Sequence, residues 1–186
     1  MNRRGLLRQQ ITEAWNSVIK ADFHRQRINS ERSLQASLWS KLDGILPPES
    51  RRMFIEPHLK VTTSTVDGQV AQECRYPDIV ICNTREVIGI VEIKYLPRAQ
   101  PNWKKDSQTF SWIHNNRDKI VIQNIRHRGV AADDREYRLS KDVLFVWAGV
   151  HRPSNIDFTQ HIDQSLAKHF LERHAITRDG KHPVVQ

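Results

Sequence analysis

The sequence predicts an α/β fold, a three-strand antiparallel meander plus a further strand, flanked by helices. Three observations predict it. Apolar residues recur at helical spacing toward both ends of the chain, and β-branched stretches follow one another across turn signals in its middle. A continuous apolar run, Val143 to Val150, stands alone after a helical segment and reads as a buried strand.

In chain order, Leu7, Ile11, Ala14, Trp15, Val18 and Ile19 mark an amphipathic helix over 4–23. Ser30 caps a second helix that runs to Leu46, where Pro47 and Pro48 stop it. Leu34, Leu38, Leu42 and Ile45 form its stripe, and Glu31 lies on the same stripe. Strands are expected at about 53–65, 70–82 and 87–96, with Asp67-Gly68 as a two-residue hairpin turn between the first two. Pro97 and Pro101 close the third strand, and a helix from 102 to 116 carries Trp103, Phe110 and Ile113. Ile120 to Ile125 is apolar but of undecided type, and Arg126 to Arg138 reads as an exposed basic loop. Ile162, Leu166 and Phe170 mark a last helix over 156–173, and the tail from 176 to 186 reads as loose. One domain over 1–175 is expected, its core at about 30–150 and the terminal helices packed on it.

Lys and Arg number 29 against 21 acids, a net charge of +8 with a pI near 9.8. That balance favours phosphate-rich partners over small metabolites. Cys74 and Cys82 fall on one expected strand, too far apart to bridge, so a reducing compartment fits. No signal peptide or apolar run of ~20 residues is read, and a cytoplasmic location is expected. A Gly-rich phosphate loop, paired histidines with a glutamate, a zinc-type cysteine set and a serine or cysteine triad signature are all missing. Nucleotide hydrolysis and zinc chemistry are therefore not expected.

The chemistry concentrates between Arg75 and Tyr95. Two apolar runs, Ile79 to Cys82 and Val87 to Ile93, flank Asn83-Thr84-Arg85-Glu86, the pattern of a hairpin. Glu92 and Lys94, two apart, share a face with Ile88 and Ile90. With a five-residue loop, Asp78 stands directly opposite Glu92, where Cβ atoms are about 4.5–5.5 Å apart and like charges repel. Lys94 at one side and a divalent metal in the middle would resolve the conflict. Hard oxygen donors suit Mg²⁺ or Mn²⁺. The plain alternative, an edge hairpin with both acids in solvent, is opposed by the apolar Val80, Ile88 and Ile90 on the same face.

Pro77-Asp78 followed by Glu92-Ile93-Lys94 resembles the signature of the PD-(D/E)XK nuclease superfamily. The resemblance covers about 30–150 and implies a restriction-endonuclease-like core. It implies that Asp78, Glu92 and the backbone carbonyl of Ile93 hold the metal, and that Lys94 orients or deprotonates the attacking water. Glu31 matches a glutamate that many members carry on the first core helix, and Gln108 a glutamine on the helix after the Glu-X-Lys strand. An acid in any first helical turn is also favoured by the macrodipole. Glu56, within the first strand, is a further acid near the site. Basic pairs at Arg25 and Arg27, Arg51 and Arg52, Lys104 and Lys105, and Arg126 and Arg128 read either as solvated surface or as a phosphate-tracking groove. Trp103, beside Lys104, is the tryptophan placed for nucleic-acid contact.

Together these features imply a Mg²⁺-dependent nuclease that hydrolyses DNA in restriction, phage defence, recombination or repair, as a homodimer or a subunit of a larger complex. The first rival is a catalytically silent nucleic-acid-binding or assembly subunit of the same fold. The second is a domain whose basic face meets an acidic protein.

Overall fold

In the computed structural model, the described residues are 3–64, 70–123, 136–154, 162, 164–178 and 182–186. Leu7, Ile11, Ala14 and Trp15 lie on one side of α1, Arg3–Ser17, which continues into a π-helical turn, Val18–Phe23. Helix α2, Glu31–Ile45, starts as its sequence dictates. The Ser30 hydroxyl accepts from the Ser33 N–H, and the Ser33 hydroxyl accepts from the Ser30 N–H, a reciprocal cap on free donors. Leu34, Leu38 and Leu42 are fully buried beneath it.

The strands expected over 53–65 and 70–82 are each broken in two. Strands β1, Arg52–Ile55, and β2, Leu59–Ser64, face β4, Ile79–Cys82, and β3, Val70–Arg75, respectively, both antiparallel. Pro57 and Pro77, which have no N–H for a ladder, stand in the two breaks. Glu56 there adopts φ 47°, a left-handed conformation uncommon for a residue with a side chain, so it is not a strand residue. Past the break, the β2–β3 arm turns away and joins another part of the sheet. Its tip, with Asp67 and Gly68, lies outside the described residues.

Strand β5, Glu86–Leu96, pairs antiparallel with β4 and parallel with β7, Glu136–His151. A parallel pair needs a crossover, and α3, Trp103–Asn115, supplies it. The short apolar segment after α3 is β6, Val121–Gln123, which links the start of β7 to the β2–β3 arm. The later half of β7 pairs parallel with β8, Phe170–Arg178, and β9, His182–Val185, lies antiparallel beyond β8. Among the described residues the product is a nine-stranded mixed sheet in the order β1-β4-β5-β7-β6-β2-β3, with β8 and β9 fanning from the other half of β7.

Two expectations fail at the C-terminus. The helix over 156–173 is reduced, among the described residues, to one turn, α4, Gln164–Ala167, and Phe170 opens a strand instead. The tail from 176 is not loose where it is described: His174 and Gln186 exchange two backbone hydrogen bonds of 3.0 Å across β8 and β9. Cys74 and Cys82 sit on separate strands, both as free thiols.

Alternation along the strands divides the core in two. Ile79, Ile81, Val91, Ile93, Val146 and Ala148 pack with α1 and α2. Val80, Ile90, Phe145 and Trp147 pack on the opposite face with Phe110 and Ile113 of α3. Among the described residues no helix is long and apolar enough to cross a membrane.

Candidate active site

The site forms where the β4–β5 ladder stops. Ile79 pairs with Val91 and Val80 with Ile90, so one further step puts Asp78 across from Glu92 on the face shared with Ile90. Beyond this point the N–H groups of β5 turn to side chains. Ile93 N donates to Asp78 Oδ2 at 2.5 Å, and Tyr95 N donates to Glu31 Oε2 at 3.3 Å. The Asp78 carbonyl accepts from Gln35 Nε2 at 2.8 Å and from Glu56 N at 3.2 Å. Asp78 is therefore held through both its backbone and its carboxylate.

Glu92 is 7% exposed, and among the described residues nothing donates a hydrogen bond to its carboxylate. Burial, followed by the charge of Asp78, pushes its pKa well above the usual carboxylate range. Burial also drives Asp78 up to about 6, against the Ile93 hydrogen bond and Lys94, which pull it down. Burial lowers the Lys94 pKa, but Asp106, Glu92, Glu31 and Asp78 outweigh it, and the ammonium is held above its ordinary value. Its Nζ lies 3.4 Å from Asp106 Oδ1 and donates to the Ile93 carbonyl at 3.1 Å.

Asp106 was not expected in the site. It is 2% exposed, in the first turn of α3, and its second oxygen accepts from Trp147 Nε1 at 3.0 Å. Across the sheet Glu92 registers with Trp147 and Trp147 with Glu172, while Lys94 registers with Gly149 and Gly149 with His174. Any side chain at Gly149 would run into the six-membered ring of Trp147, so this glycine lets the indole lie over it and reach Asp106. Behind the indole, His151 Nε2 meets His174 Nδ1 at 2.9 Å, and His174 Nε2 meets Glu172 Oε2 at 2.9 Å. Sequence offered one usable signal for this network, the odd-numbered Trp147, Gly149 and His151 on one strand face. Which charges they meet depends on how α3 docks.

Asp78, Glu92 and Lys94 thus share one sheet face. Glu31 is exposed, at the start of α2, and caps the β5 edge from there. Glu56 is exposed in the β1–β2 break, with its backbone N–H rather than a strand position beside Asp78. Lys105 and Gln108 line a cleft of about 410 Å³ together with Arg75, Tyr76, Glu92 and Lys94. Lys104 is exposed one position away, and Arg126 and Arg128 lie outside the described residues. Trp103 is corrected: it is 4% exposed and packs 4.4 Å from Trp147 between ring centroids, so it is core and cannot stack on a base.

The donors that could hold a hard cation are the two carboxylates of Asp78 and Glu92 and the Ile93 carbonyl. Among the described residues no three His, Cys, Asp or Glu side chains stand together as a metal cage. Two carboxylates and a carbonyl still suit Mg²⁺, which keeps several waters and seldom takes an all-protein shell. The Glu92 carboxylate, which lines the cleft beside Asp78 with no donor among the described residues, is the feature that such an ion would satisfy. The chain matches no protein-family model and no curated protein, and the assignment of this cleft rests on its own geometry.

Proposed function

We propose that the protein is a Mg²⁺-dependent nuclease of the PD-(D/E)XK type, with a restriction-endonuclease-like core, that hydrolyses DNA phosphodiester bonds in the cytoplasm. The observation that carries the reading is the convergence of Asp78, Glu92 and Lys94 on one face of the sheet, with Glu92 lining the cleft and, among the described residues, lacking a donor. A fold that buries two facing carboxylates for no purpose gives up stability. Asp78, Glu92 and the Ile93 carbonyl would hold Mg²⁺ or Mn²⁺, which when bound polarises the phosphate and lowers the pKa of water.

The remaining work falls to the chain's own groups. Asp106 faces Lys94 at 3.4 Å and favours its ammonium form. As an ammonium it would orient the water and stabilise the negative charge that grows on phosphorus. In the second role that the resemblance allows, a bound Mg²⁺ would lower the Lys94 pKa and the amine would take the proton of the water. Water attacks phosphorus and gives up a proton to solvent or to Lys94, the P–O bond to the leaving oxygen breaks, and that oxygen takes up a proton from solvent. Lys105 and Arg75 on the cleft walls supply sequence-independent attraction for the backbone. Restriction, phage defence, recombination and repair are settings for such a chain, acting as a homodimer or within a larger complex.

One observation favours the silent rival, a binding or assembly subunit of this fold: the lack of a three-residue acidic cage among the described residues. Cleavage decides between them. Wild type incubated with plasmid, linear and single-stranded DNA should cut with Mg²⁺ and not with EDTA, and Lys94→Ala should lose on the order of 10²–10³-fold in rate. Cutting that survives both the chelator and the substitution would place the chemistry elsewhere.

A further inference from the structure

Tyr76 stands two residues before Asp78, in the break between β3 and β4. At 53% it is the most exposed large apolar side chain among the described residues, yet it lines the cleft that holds Glu92 and Lys94. Pro77 after it is buried and biases Tyr76 toward extended backbone. The His58 ring meets the phenol at 90° with centroids 4.4 Å apart, so the aromatic plane is braced. Next to it the Arg75 guanidinium lies 4.7 Å over the Trp112 ring, and the Arg75 Nη1 donates to the Cys74 carbonyl at 2.9 Å. These contacts orient a cation at the cleft wall before anything binds. Lys105 and Gln108 of α3 face this wall across the cleft.

An aromatic face at the reacting centre can stack a base only when that base is out of a duplex. A cleft of about 410 Å³ is of the size that takes one small ligand, not the width of a double helix. We infer that the cleft binds an unpaired nucleotide of single-stranded DNA, its base stacked on Tyr76 and its phosphate between Lys94 and Lys105. This rests on the nuclease reading for the identity of the cleft, but its test reads binding without cleavage.

In EDTA, fluorescence anisotropy of a labelled single-stranded twelve-mer of dT and of a duplex of equal length would be titrated with the full chain. The single strand should bind at least tenfold more tightly. Tyr76→Ala should weaken single-strand binding about tenfold and leave duplex binding unchanged, while Tyr76→Phe, which keeps the stacking face, retains it. Tyr76 is exposed, so a melting curve matching wild type will certify the fold of each variant. Equal affinity for the duplex, binding to neither probe, or a Tyr76→Ala variant within twofold of wild type would overturn the inference. Failure of the Lys94→Ala cleavage experiment with intact single-strand preference would instead remove catalysis and keep the binding site.

Discussion

On β5, Val91 and Ile93 turn toward α1 and α2, while Glu92 and Lys94 turn the other way toward α3. The first face is dry: Leu34, Leu38, Ile79, Ile81, Val91 and Val146 meet there with no charged side chain among its buried members. The second face begins apolar at Val80 and Ile90 and then becomes a row of ionisable groups crossing four strands, from Asp78 through Glu92 and past Trp147 to Glu172. Two-residue alternation lets one strand serve both purposes. One face supplies the stability that the other gives up when it buries like charges side by side.

The contrast is sharpest in the sign of substitutions. On the dry face, Leu38→Ala removes a fully buried side chain from among α1, α2 and the sheet, and should cost ~2–5 kcal/mol. Thermal unfolding in EDTA and in Mg²⁺ should show the same loss, because the Leu38 side chain packs in the α1–α2 core and away from the carboxylates. A loss that depended on Mg²⁺ would mean the two faces are coupled.

On the charged face the sign reverses. The Asp78 carboxyl has its pKa raised from 3.8 to about 6, chiefly by burial. Between those values the folded chain holds a proton that the unfolded chain has released, so stability falls as pH rises through the window and stays reduced above it. The shift corresponds to roughly 3 kcal/mol at pH 7. Asp78→Asn should therefore raise the melting temperature by several degrees at pH 7 in EDTA, with little gain at pH 4, and flatten the pH profile between. Glu92→Gln should act in the same direction. Mg²⁺ should stabilise wild type and neither variant, since an ion that binds only the folded form adds its binding free energy to folding. If both variants melt below wild type at pH 7, the carboxylates are structural and the strain argument is wrong.

Much of this contrast was legible before any coordinates. The short polar loop after Cys82 and the alternation from Gly89 to Lys94 determine which side chains share a face at the site, but a bulge between Val87 and Gly89 puts Ile88 on the α1–α2 face instead of beside Ile90, where it was expected. The helices 4–23, 31–45 and 102–116 were legible for the same reason, a period of 3.6 with caps and prolines at their ends. Three features were not. Pro57 and Pro77 break the first two strands, but the β-branched residues on either side of them have the pattern of continuous runs. Ile162, Leu166 and Phe170 have helical spacing, yet Phe170 pairs with Phe145 because the edge of β7 needs a partner, a demand made by tertiary structure. Asp106 looked like any first-turn acid, and only the docking of α3 brings it to Lys94 and Trp147.

The smallest expected effect concerns Glu31, which lies between the two faces. Its helix belongs to the dry side, but its carboxylate reaches the β5 edge and accepts from Tyr95 N, two residues beyond the hydrogen bond between Ile93 and Asp78. It is exposed and sits at the N-terminus of α2, where an acid contributes ~0.3–1 kcal/mol through the helix dipole. Glu31→Gln keeps an oxygen for Tyr95 N and removes the charge, so stability should fall by less than about 1 kcal/mol. The Mg²⁺ concentration that gives half of the thermal stabilisation should rise no more than about threefold, because the carboxylate acts on Asp78 and Lys94 through space rather than through a shared contact. A rise of tenfold or more would make Glu31 a third donor to the ion, and the boundary between the two faces would then run through α2 instead of along β5.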